Sequence, residues 1–206
     1  MMTVILKWYG NAQKVVFNGD GYSQDWVKEA EKRGLGNYRT TPEAINVLKD
    51  AKKTNVLIKS GIFKESEIST RHNVMLERYI KCREIEIKTL VGMVLKQVVP
   101  VAVDYKAQLA ESIKKQKDAG SDSSLELELL KDLATHSKSL YEQTVNLSST
   151  LDDIHARCDE ETLAKKIAME LMPQTVKIAE LCSRIEEIIP DENWPVPKFY
   201  DMLFIR

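Results

Sequence analysis

The chain has 206 residues, 43% of them hydrophobic and 30% charged, which gives room for one large domain with a buried core. Thirty Lys and Arg against 31 Asp and Glu leave a net charge of −1, without the basic surplus typical of a nucleic-acid binder. No apolar run approaches the roughly 18 residues of a membrane span, and Met1 to Lys7 is too short for a secretory leader. Three widely spaced cysteines, Cys82, Cys158 and Cys182, read as buried reduced thiols of a cytoplasmic protein.

Residues 1–63 read as an opening segment of short helices and loops. Val4-Ile5-Leu6-Lys7-Trp8-Tyr9 starts abruptly, with no polar leader, and looks like the continuation of something longer. Val15-Val16-Phe17 is a short extended piece, and Asn18-Gly19-Asp20-Gly21 a turn. That turn lacks the Lys-Ser/Thr ending of a phosphate loop, and Tyr22 stands where a calcium loop needs an oxygen ligand. Ser23 caps a helix with Trp26, Val27 and Ala30 on one face, ending at Gly34 or Gly36. Thr41 as cap, Pro42 and Glu43 start the next helix. Its stripe is Ala44, Val47, Leu48 and Ala51, and residues 52–55 end it; Val56-Leu57-Ile58 then leads into the turn at Ser60-Gly61.

Residues 64–190 carry three apolar seams at alternating steps of three and four, the inner edge of helices packed on helices. The first is Leu76, Ile80, Arg83, Ile87, Leu90, Val94 and Val98, continuing past Pro100 through Val101, Tyr105, Leu109 and Ile113. The proline predicts a kink in one rod rather than a break. Gly120 to Ser124 is a helix stop followed by capping residues. The second seam is Leu133, Ser137, Leu140, Thr144, Leu147, Leu151, Ile154 and Cys158, in which Ser137 and Thr144 read as register devices. The third is Ile167, Leu171, Gln174, Ile178, Leu181, Ile185 and Ile188, with a distortion expected at Pro173. The fold expected is all-α: an antiparallel bundle of three long helices, the first kinked near Pro100. A short-helix N-terminal segment precedes it, and residues 191–206 form a docked, non-helical Pro/aromatic tail.

For chemistry the residues offer little. His72, His136 and His155 have no His or Cys at i+3 or i+4 and read as solvated or cap-like. Asp152-Asp153 and Asp159-Glu160-Glu161 flank a helix turn, where acidic residues are common. No catalytic, cofactor-binding or metal-binding residue is assigned. A self-contained coiled-coil interaction protein, acting through its seams, accounts for these features as an alternative.

Three stretches in order nevertheless resemble the C-terminal region of type III glutamine synthetases. They are Val16-Phe17-Asn18-Gly19-Asp20-Gly21-Tyr22-Ser23 with the run from Trp26 to Leu35; Thr40-Thr41-Pro42-Glu43-Ala44 with the run from Gly61 to Glu67; and the ending from Ile189 to Tyr200 with Met202-Leu203-Phe204. The resemblance implies the last part of a ligase that forms glutamine from glutamate and ammonia, and ATP and magnesium belong only to that full-length enzyme. It also implies packing against a catalytic domain and neighbouring subunits, with a homo-oligomer possible and neither nucleic acid nor membrane as partner. The family's metal-binding glutamates and substrate-binding arginines lie upstream of the matched region, so this chain alone is expected to be inactive.

Overall fold

In the computed structural model, residues 2–203 are described, and among them every regular element is a helix. The elements are α1 (Met2–Ala12), α2 (Gln24–Lys32), α3 (Thr41–Asn46), α4 (Ala51–Lys59), α5 (Glu65–Met93), α6 (Val99–Asp118), α7 (Ser124–Arg157), α8 (Glu160–Lys166), α9 (Met172–Glu186) and α10 (Phe199–Leu203). The all-α expectation holds.

Three rods make the body. The first is α5 and α6 joined through a π-helical turn, Val94–Val98; the second is α7; the third is α8 and α9 joined through a π-helical turn, Ile167–Leu171. The chain reverses at Gly120, where φ of 71° closes α6 with the Ser121 amide donating to the Gln116 carbonyl. That left-handed conformation is one a side chain resists. At the far end Cys158 and Asp159 alone separate α7 from α8. Connections this short make successive rods antiparallel neighbours.

The second seam is buried as its spacing requires. Leu133, Leu140 and Leu147 have no exposed area, and Ser137, Thr144, Leu151 and Ile154 are buried with them. Each large apolar side chain so buried contributes roughly 1.5–3 kcal/mol. Ile167, Leu171, Ile178 and Ile185 close the core from the third rod, and Leu76, Ile80, Ile87, Val94 and Val98 from the first. Beyond Pro100 the seam keeps Leu109 and Ile113 buried as expected and differs at one position, where Ala102 is fully buried and Val101 half-buried.

The π turns explain how both prolines are accommodated. Pro100 and Pro173 occupy the second positions of α6 and α9. In an α-helix each ring would collide with the carbonyl four residues back. Here the preceding amides reach back five residues, Val99 to the Val94 carbonyl and Met172 to the Ile167 carbonyl. The wider turn makes room for the ring, so each rod passes its proline without a break.

The short helices differ from expectation in detail. Thr40, not Thr41, caps α3: its Oγ1 accepts from the Glu43 amide while Glu43 accepts from the Thr40 amide, a reciprocal capping box. Ile45 and Pro42 are the buried residues of α3, whereas Ala44 and Ala51 face solvent. Asp50 interrupts the expected single helix. Its carboxylate accepts from the Lys52 amide and starts α4, so Val56-Leu57-Ile58 is helical. In the tail, Pro195 and Pro197 precede the helical turn α10 rather than lie inside it, so the expected absence of helix is corrected there. Trp194 is buried and Val196 packs on the core, while Met202 and Leu203 are exposed. The docking expected of Phe204, Ile205 and Arg206 falls outside the described residues.

Candidate functional site

The three stretches that carry the resemblance build three surface features at different places on the fold. The first is a clasp between the loop 16–23 and α2. Ser23 Oγ accepts from the Trp26 amide and Asp20 Oδ1 from the Tyr22 amide, which fixes the chain's entry into the helix. Phe17 then lies on Trp26, ring centroids 4.6 Å apart. From the last turn of α2, the Arg33 guanidinium donates to the Val16 carbonyl at 2.7 Å and pairs with Glu29 at 2.7 Å. It also stands 5.7 Å from the Trp26 ring centroid. The bond from Arg33 holds the Glu29 carboxyl below its ordinary value.

The second feature is the end of α5 that projects past the tip of α7. Here α3 and the 3-10 turn Val47–Lys49 lie against α5, and Lys49 pairs with Glu161 of the third rod. Two hollows open beside it, both lined in part by Arg71 and Met75. One, of ≈ 590 Å³, adds Ile62, Phe63 and Val74; the other, of ≈ 560 Å³, adds Tyr38, Ile45 and Leu48. The Arg71 guanidinium sits over the Phe63 ring at 4.9 Å. The resulting trough mixes these apolar side chains with two cations, Arg39 and Arg71, and the Glu67 carboxylate.

The third feature is the loop after α9. The 3-10 turn Asp191–Asn193 and the ion pair between Lys198 and Asp191 fold it so that Trp194 drops into the core. The Lys198 amide donates to Asp201, which caps α10. Asn193 lines a small hollow with Val101, Asp104, Tyr105 and Gln108 of α6.

The individual residues considered for chemistry do not converge. His72 is 2% exposed, not solvated: its ring nitrogens lie 3.1 Å from the Asn46 and 3.0 Å from the Asn73 side-chain oxygens. It ties α5 to α3, a tertiary bond across 26 positions that spacing cannot reveal. His155 is exposed and paired with Glu84 across the first two rods. Cys82 is exposed, and Cys158 and Cys182 are half-buried, so fully buried thiols are corrected in all three places. Asp159 is the cap of α8: the Thr162 amide, and then its hydroxyl, hold the carboxyl below its ordinary value. Among the described residues no three His, Cys, Asp or Glu side chains gather as a metal ion requires. Likewise, no described helix is long and apolar enough to cross a membrane.

One feature that spacing did not identify as a surface is α1. It is helical, as expected, yet none of its residues is buried. Leu6 is 65% and Trp8 68% exposed, and among the described residues the main contact of the helix is with the 3-10 turn Gln13–Val15 following it.

The chain is 29% identical over 199 residues to a type-3 glutamine synthetase of Dictyostelium discoideum, covering 94% of this chain and 27% of that protein. It is 32% identical over 203 residues to a glutamine synthetase of Bacteroides fragilis, covering 95% and 28%. A glutamine synthetase of Butyrivibrio fibrisolvens is 27% identical over 194 residues, covering 93% and 28%. The chain thus spans little more than a quarter of the length of the curated relatives it matches. The family model for the glutamine synthetase C-terminal domain matches residues 1–117, which run from α1 through the clasp and into the last turn of the first rod, and the chain belongs to that family.

Proposed function

We propose that this chain is the helical C-terminal domain of a type III glutamine synthetase. In this reading it supplies structure and assembly while the rest of the enzyme forms glutamine from glutamate, ammonia and ATP. The observation that carries the reading is the pairing of coverages: over nine-tenths of this chain is matched, against little more than a quarter of each relative. The domain contributes no catalytic, cofactor-binding or metal-binding side chain. Its organisation into an opening segment (1–63), a bundle (64–190) and a packed tail (191–206) belongs to the same reading. So do a cytoplasmic location and contact with the catalytic domain and neighbouring subunits.

The alternative, a stand-alone coiled-coil interaction protein, requires a seam open to a partner. Leu133, Leu140 and Leu147 are fully covered within one chain, which supports the domain reading. The test is enzymatic. Purified chain added to glutamate, ammonia, ATP and magnesium is expected to release no phosphate above background, and substantial release overturns the proposal.

A further inference from the structure

The described surface of α1 is sorted by residue type around its axis. At 100° per residue, Val4, Trp8, Ile5, Tyr9, Met2 and Leu6 follow one another round one side, an apolar arc of about 200° centred on Ile5. Thr3, Lys7 and Asn11 take the opposite side. Every one of the six apolar residues is more than half exposed. An isolated helix shorter than about 12–15 residues is marginal in water, and none of the 11 residues of this one is buried.

We infer that the apolar face of α1 is the surface by which this domain seats in an apolar groove on the catalytic body of a glutamine synthetase. The inference rests on the domain reading above. Two observations choose this occupant over a second copy of the chain. The family match begins at residue 1, so α1 belongs to the matched domain, and nearly three quarters of each relative lies outside the part matched here. The arc is also too broad for one neighbouring helix, which covers a narrow stripe of about two positions in seven. A groove that touches both flanks, from Val4 to Leu6, covers it. Because α1 holds no carboxylate and its one cation, Lys7, lies on the opposite side, the groove is uncharged where it meets Ile5 and Trp8.

The test mixes the 206-residue chain with the body of the Bacteroides fragilis relative, truncated ahead of the stretch that this chain matches, and reads complex formation by sedimentation. A one-to-one complex is expected. Ile5→Glu with Trp8→Glu should weaken it at least ten-fold, while Lys7→Glu on the polar side leaves it within two-fold. Unfolding midpoints of all three proteins should agree, because no described residue of α1 is buried. A complex indifferent to Ile5→Glu with Trp8→Glu overturns this surface and leaves the domain reading standing. No complex with the unsubstituted chain overturns both. A dimer of the chain alone that the same two substitutions abolish makes a second copy the occupant and overturns the inference.

Discussion

Lys106 Nζ on α6 donates to Ser137 Oγ on α7 at 3.0 Å, a polar contact that crosses between the first two rods at a mostly apolar seam. Ser137 is 4% exposed and also donates to the Ala134 carbonyl. Ser137→Ala is expected to lower stability by about 0.5–1.5 kcal/mol, since it leaves the ammonium without its acceptor. Lys106→Met combined with Ser137→Ala should recover part of that loss. Urea unfolding of the four proteins checks it: strictly additive single effects would show that the two groups are not coupled.

Leu147 is fully buried where the three rods meet, and Leu147→Ala is expected to cost about 2–5 kcal/mol. Val176→Ala, at a position 57% exposed on α9, should stay within about 0.5 kcal/mol. Equal effects at the two positions would contradict the burial pattern.

Two glycines should respond oppositely to alanine. At Gly92, inside α5, an added methyl group meets no atom within 4 Å beyond its own helix. Gly92→Ala should stabilise by about 0.4–1 kcal/mol through lost freedom of the unfolded chain. Gly120 holds φ of 71° at the reversal between rods, and Gly120→Ala should cost about 1 kcal/mol or more. Thermal unfolding of both variants decides it.

Asp159 titrates below the ordinary carboxylate value because the Thr162 amide and hydroxyl donate to its charged form. Its contribution to stability is therefore complete above the unfolded aspartate value, near pH 4, and is lost as pH falls through the lower folded value. Asp159→Ala should reduce the unfolding temperature at pH 7, and the difference from the unsubstituted chain should shrink by pH 2. Asp159→Asn keeps the cap and should stay close to the unsubstituted chain at pH 7.

The cysteines should separate by reactivity. Burial, with a smaller push from Glu186, raises the Cys182 thiol to about 11, whereas Cys82 lies in solvent. Because the thiolate is the reacting form, iodoacetamide at pH 8 should label Cys82 well before Cys182, as mass spectrometry of the peptides would reveal. Equal rates would place Cys182 in water.

What sequence could convey, and what it could not, follows from how far each signal reaches along the chain. The seam of α7 was legible residue by residue because it depends on a local period, and every position from Leu133 to Ile154 named for it is buried. Caps came within one residue, Thr40 for Thr41, since adjacent hydroxyls are equivalent until the Glu43 carboxylate selects one. The break at Asp50 was hidden by helix-forming residues on both sides. The Asn46 partner of His72 and the Glu84 partner of His155 belong to other helices, so no spacing rule finds them. The exposure of α1 was missed for a further reason: an apolar run announces burial, and among the described residues nothing buries this one.

The π-helical turns leave a trace in the spacing itself. In the first rod, Leu90, Val94, Val98 and Ala102 follow at three successive fours, and in the third, Leu163, Ile167 and Leu171 at two. The first run crosses Pro100, and the second stops two residues short of Pro173. A wide turn contains one residue more than an α-helix would need to cover the same length, so ring and surplus residue form a matched pair. Removing either alone creates a fault: deletion of one residue drives the ring into a carbonyl, and replacement of the proline strands the extra residue with nothing to justify it. The Lys106–Ser137 and Glu84–His155 bonds set the first wide turn midway between them, beside Thr144 to Leu147, and the short link at Cys158 brings the second to the same height. The bundle therefore has a waist, one cross-section where two of its three columns share the same tolerance for an added residue.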